Sequence, residues 1–110
     1  MAARKLAPVH PGEMLLEEFM RPLGLSVSEL ARAIDIPPNR ISQLVHGKRA
    51  MTADTALRLE RFLGWPARIW LQVQAEHDLE LSRRRPGAAR IRRHPKVRAS
   101  NSARPLSRPA

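Results

Sequence analysis

No cysteine occurs in the chain, which excludes disulfide staples, thiolate metal sites and thiol nucleophiles. The four histidines, His10, His46, His77 and His94, are scattered and show no HExxH or comparable ligand spacing. Neither a metal nor another cofactor is expected. A nucleophile–base pair is also missing, so the chain does not read as an enzyme. No apolar run approaches the ~20 residues of a membrane span. No apolar stretch follows Arg4 and Lys5 as a signal peptide would require. A cytoplasmic protein with no membrane partner is the expectation. Strand-like alternation and internal repeats are absent too, which leaves one small all-α domain with one modest core.

Acid is missing from one part of the chain only. Residues 1–82 hold ten acids and ten bases, whereas residues 83–110 hold ten bases and no acid. The whole net charge of +10 therefore sits in the last 28 residues. A neutral body with a basic tail points toward a polyanion; the alternative is a solvated tail without a partner. Beyond Arg85 the chain has no aromatic residue, few aliphatics and several prolines, so residues 83–110 are expected to be disordered. Residues 1–9 read as a flexible arm, and residues 10–82 as the domain.

What is present is helical periodicity. From Pro11, Met14, Leu15, Phe19 and Leu23 recur at three- and four-residue steps, and Pro22 with Gly24 is expected to end this first helix. A capping box of Ser26 and Glu29 opens the second, whose apolar stripe is Val27, Leu30, Ala31 and Ile34. The third is very short, bounded by Pro38 and Gly47. A fourth runs from an N-cap at Thr52 to Gly64, burying Ala56, Leu57, Leu59 or Phe62, and Leu63. A fifth begins at Pro66 and carries two apolar stripes. Ile69, Trp70, Val73, His77 and Leu81 form the wider one, and Leu71, Ala75 and Leu79 the narrower. One stripe can dock on the domain, and Leu71, Ala75 and Leu79 are assigned to a homodimer contact.

Two helices joined by a tight turn, the second of them short, describe a helix-turn-helix. On a 100° projection Ile41, Leu44 and Val45 face inward. Asn39, Gln43 and His46 lie nearly opposite, with Ser42 beside them and Arg40 on the flank. Asn39 and Gln43 are i, i+4 amides, the side chains that pair bidentately with adenine in a major groove about 12 Å wide. Arg40 suits guanine or phosphate. Ser42, His46, Lys48 and Arg49 are assigned to phosphate, where contacts position the protein without specifying sequence. Double-stranded DNA is the expected partner.

The stretch SVSELARAIDIPPNRISQLVHGKR resembles the helix-turn-helix of phage-repressor domains, through Leu30-Ala31, Ile41-Ser42 and Gly47-Lys48. By that alignment the base-reading positions are Pro38, Asn39, Arg40 and Gln43. Val27 departs from the pattern, standing where many members carry a glutamine. The flanks HPGEMLLEEFMRPLGLS and GWPARIWLQVQAEHDL look like signature segments of the HigA family of antitoxins, so that the resemblance covers residues 10–81. Trp65 stands where relatives tend to carry a capping Ser or Thr, so the fifth helix is expected to start less firmly. The resemblance implies that this five-helix chain is an all-helical homodimer that binds a palindromic operator over its own promoter. It also implies that the chain neutralises a cognate toxin, an mRNA-cleaving ribonuclease of RelE-like fold. The alternative is a stand-alone helix-turn-helix regulator with no toxin.

Overall fold

The computed structural model describes residues 8–98. Five helices make up the described body, and among the described residues there is no strand. The first, α1, is continuous through three segments: α-helical Pro11–Met14, π-helical Leu15–Met20 and α-helical Arg21–Leu23. The others are α2 (Val27–Ile34), α3 (Pro38–Val45), α4 (Ala53–Leu63) and α5 (Ala67–Arg83).

Gly24, in the left-handed region at φ 69°, ends α1 as expected, but Pro22 does not. A proline inside an α-helix clashes with the carbonyl four residues back. Here the helix is widened just ahead of it, and the Arg21 N–H donates to the Leu16 carbonyl five residues back. The π register makes room for the ring, so the helix continues past Pro22 to Leu23.

The buried core draws on every helix: Leu15 and Met20 from α1, Leu30, Ala31 and Ile34 from α2, Ile41, Leu44 and Val45 from α3, Ala56 and Leu59 from α4, Trp70 from α5. Several stripe residues stay out of it. Leu23, Leu57 and Phe62 are exposed, at 60%, 55% and 45%, because the interior of so small a domain closes around one side of each helix. Met51 and Thr55 take buried places instead. In α5 the wider stripe divides: Trp70 is fully buried, Ile69, Val73 and His77 are half-buried, and Leu81 is exposed. Phe19, Trp65 and Trp70 form a cluster of rings with centroids 4.9–5.4 Å apart that fixes α5 on α1.

Two long-range polar contacts replace local caps. Glu60 of α4 accepts from the Ala67 N–H at 2.7 Å, so α5 is capped from a neighbouring helix rather than from position 65. Arg58 donates through Nη1 to the carbonyls of Ile34 and Asp35, at 2.9 and 3.2 Å, while its Nε pairs with Asp54. It thereby satisfies the C-terminal carbonyls of α2 at the point where the chain turns toward α3.

After α5 the chain makes a single 3-10 turn, Ala88–Arg90, and all of residues 84–98 are exposed. The remainder of the basic tail, and most of the N-terminal arm, lie outside the described residues.

Candidate nucleic-acid interface

α2, the turn at residues 35–37 and α3 form the helix-turn-helix. The capping box is closed, with the Glu29 N–H donating to Ser26 Oγ at 3.0 Å and the Ser26 N–H to Glu29 Oε1 at 2.8 Å. The Ser26 backbone N–H and then its hydroxyl hold the Glu29 carboxyl below its ordinary value. The turn is made by Asp35 at φ 59°, one of the few side chains that tolerates the left-handed region, and Ile36 then plunges into the core. Pro38 starts α3 at a position whose N–H has no helical partner to lose.

A two-bond cap sets the far end of α3. The Lys48 N–H donates to the Gln43 carbonyl at 2.8 Å and the Gly47 N–H to the Leu44 carbonyl at 3.0 Å, with Gly47 at φ 75°. That is the Schellman arrangement, and it fixes the direction in which Lys48 and Arg49 leave the helix.

Ile41, Leu44 and Val45 are buried as the projection requires. Pro38, Asn39, Arg40, His46, Lys48 and Arg49 are exposed, and Ser42 and Gln43 half-buried. All eight candidate DNA-contact positions therefore share one surface around α3 and its cap. Within it the side chains are not independent. Arg49 Nε donates to Gln43 Oε1 at 3.0 Å, a pairing across six residues that helical spacing does not suggest. His46 Nδ1 lies 2.7 Å from the Ser42 carbonyl, so the ring donates from Nδ1 and leaves Nε2 outward.

The cap is braced from beneath by residues that the sequence marks only as core or as family signature. His10, buried at 8% exposure, is the N-cap of α1, its Nδ1 accepting from the Gly12 N–H at 2.9 Å. The same ring feels the Arg49 backbone and stacks edge-on against His77, with centroids 4.9 Å apart. Gln74, also buried, accepts from the Met51 N–H at 2.7 Å and donates to Asp78 at 3.0 Å, and Asp78 meets His77 Nδ1 at 3.3 Å. The chain from His10 through His77 and Asp78 to Gln74 thus meets the loop between α3 and α4 at Arg49 and Met51. The signature residues His10, Gln74 and Asp78 are one polar network.

Burial, then the neighbouring His77, holds the His10 pKa below its ordinary value of 6.5, against opposing pulls from Asp78, the Arg49 backbone and Glu13. The neutral ring is therefore the folded form, and a protonated one would face the Gly12 N–H with a second donor. Its contribution to stability is fully present above pH 6.5 and is lost as pH falls through the lowered folded value. The urea midpoint should drop more between about pH 7.5 and 5.5 in the native chain than in a His10→Asn variant, whose amide oxygen retains the cap. Parallel pH dependences would reject this role for His10.

The second stripe of α5 is mixed. Leu71 packs against the core, while Ala75 and Leu79 are exposed. Among the described residues there is no group of His, Asp or Glu that could hold a metal ion, and no helix long and apolar enough to cross a membrane.

Residues 16–69 match the family model described as helix-turn-helix. Virulence-associated protein I of Dichelobacter nodosus is 45% identical over 78 residues, covering 71% of this chain and 72% of that one. Antitoxin HigA-1 of Vibrio cholerae is 38% identical over 85 residues, covering 77% and 80%. The chain belongs to the HigA family. Among solved structures, Pseudomonas aeruginosa antitoxin HigA, determined with the higBA promoter, superposes with a TM-score of 0.74 at 31% identity, covering 82% of this chain and 99% of that one. This HigA relative is thus an all-helical, helix-turn-helix member of a family of DNA-binding proteins that are not enzymes.

Proposed function

We propose that the protein is the antitoxin of a type II toxin–antitoxin module, binding a palindromic operator as a homodimer, repressing its own operon and neutralising an mRNA-cleaving toxin of RelE-like fold. One observation carries the DNA half of this reading: the exposed face of α3 joined, through a rigid cap, to Lys48 and Arg49. In the reading, two copies of α3 enter successive major grooves about 34 Å apart. Pro38, Asn39, Arg40 and Gln43 meet base edges, and Ser42, His46, Lys48 and Arg49 lie on the flanking phosphates. Arg49 serves both purposes, because Nε holds Gln43 while its two Nη groups remain for phosphate. The exposed Ala75 and Leu79, with Leu71 at their base, supply the dimer contact. The basic tail adds a sequence-independent electrostatic term.

The phosphate assignment has a quantitative test. Lys48→Ala should weaken binding about equally on operator and random duplex, and reduce the slope of log K against log salt by about one unit. An unchanged slope removes Lys48 from the phosphate contacts. The toxin half is tested by growth. The small open reading frame beside the gene is expressed alone and then together with this chain. Arrest alone, rescue together and co-purification support the antitoxin reading. A harmless neighbour, or one that is not rescued, leaves a stand-alone regulator.

A further inference from the structure

α1 and α5 run antiparallel, joined by the His10–His77 rings at one end and the Phe19–Trp70 rings at the other. Beside that seam lies an open groove of about 840 Å³. Its floor is apolar, formed by Val9, Met14, Ile69 and Val73. Its rim is acidic: Glu13, Glu17 and Glu18 on α1, Glu76 and Glu80 on α5. Those five are half of the ten carboxylates in the chain. Glu17 pairs with Arg21, and Glu80 with Arg83 and Arg84, whereas no ion pair is recorded among the described residues for Glu13, Glu18 or Glu76. A field of one sign over an apolar floor favours a cationic occupant with an aliphatic anchor. A second copy seated on this face by two-fold symmetry would set glutamate against glutamate. Around α5 the centre of the groove is also turned about 130° from Ala75 and about 90° from Leu79 at 100° per residue, so it is a different face from theirs.

We propose that the groove is the docking site of the chain's own basic tail, through residues 99–110. The tail leaves α5 at the groove's mouth, where Arg83 and Arg84 already meet Glu80 at 3.8 and 3.5 Å. Residues 99–110 carry two bases, Arg104 and Arg108, and no acid, a charge opposite to that of the rim. Within them, Leu106 stands between Arg104 and Arg108, an aliphatic side chain bracketed by cations. Twelve extended residues span up to ~40 Å, against ~17 Å for the length of α5 along the groove. Tethering places the tail at an effective concentration of order millimolar, so a weak site is occupied. Docking is electrostatic and competes with DNA phosphate for the same arginines. It stands independently of the recognition-helix assignment and of any toxin.

The test uses the full chain with methyl-labelled Met, Ile and Val, recorded by NMR at low salt. It is compared with a chain ending at Arg98, which keeps every residue of the described core, and with a full-length Glu18→Gln/Glu76→Gln variant. The Met14, Ile69 and Val73 signals are expected to differ between the full and shortened chains. That difference should shrink severalfold in the double variant, vanish near about 0.5 M salt, and return when a peptide of residues 99–110 is added to the shortened chain at millimolar concentration. A short non-operator duplex should move the full chain's signals toward those of the shortened one. Identical full-length and shortened spectra at low salt overturn the proposal. So does a difference that ignores salt and the glutamate substitutions, or one that scales with protein concentration, which would mean that a second copy occupies the groove.

Discussion

Replacing Gly12 with alanine should destabilise the protein by about 3 kcal/mol and lower its Tm by roughly 10–20 °C. Helix propensity argues the opposite way, since alanine is favoured over glycine by ~1 kcal/mol inside a helix. Packing decides the sign. A Cβ at Gly12 would overlap the Leu44 carbonyl oxygen, and would lie 2.6 Å from its carbon and 3.0 Å from the Val45 Cα. All of these are backbone atoms, so no rotamer change relieves the overlap; α1 and α3 must separate. The displaced element is the one that carries Asn39, Arg40 and Gln43, so operator affinity should fall along with stability, even at temperatures where the variant remains folded. Urea denaturation with operator binding checks both, and an unchanged or raised midpoint would show that the crossing is looser than the geometry requires.

Gln43→Ala should lower affinity for operator by about 1–3 kcal/mol, and relax discrimination at one base pair, while leaving random-duplex binding nearly unchanged. The bond from Arg49 Nε to Gln43 Oε1 sharpens this expectation. It fixes which end of the amide is held and leaves the Nε2 donors, with one remaining Oε1 lone pair, for a base. Arg49→Ala should therefore act twice: it reduces the salt slope as a phosphate contact does, and it loosens specificity at the base pair read by Gln43. The two substitutions should be less than additive in a double-mutant cycle. Binding measured against operators altered one base pair at a time reveals the pattern. Equal losses on operator and random DNA after Gln43→Ala would remove that residue from base reading.

Much of the domain is legible in the sequence because its signals are local. Ser26 with Glu29, Thr52, Gly24, Gly47 and Gly64 each bond or turn within a few residues, so the ends of α2, α3 and α4 fall where the caps place them. The inward face of α3 follows from the helical period alone, and the opposite face is thereby defined as well. Family membership is legible in the same way, from short runs of residues at fixed spacing.

Pro22, the glycine at position 12 and the polar signature residues are different in kind. A proline reads as a stop until the π register ahead of it is seen to make room for the ring. Glu60 caps a helix that begins seven residues later, and Arg58 satisfies carbonyls more than twenty residues back. The His10–His77–Asp78–Gln74 network joins the two ends of the domain under the α3 cap. The sequence alone determined which segments are helices, where the caps of α2, α3 and α4 lie, which face of α3 is left exposed and where the positive charge sits, because propensity, capping and periodicity act over one or two turns. Only the tertiary structure decided which apolar stripes are buried, which side chains brace the loop that carries Lys48 and Arg49 and where the acids converge, because each depends on residues distant in the chain meeting around one shared core.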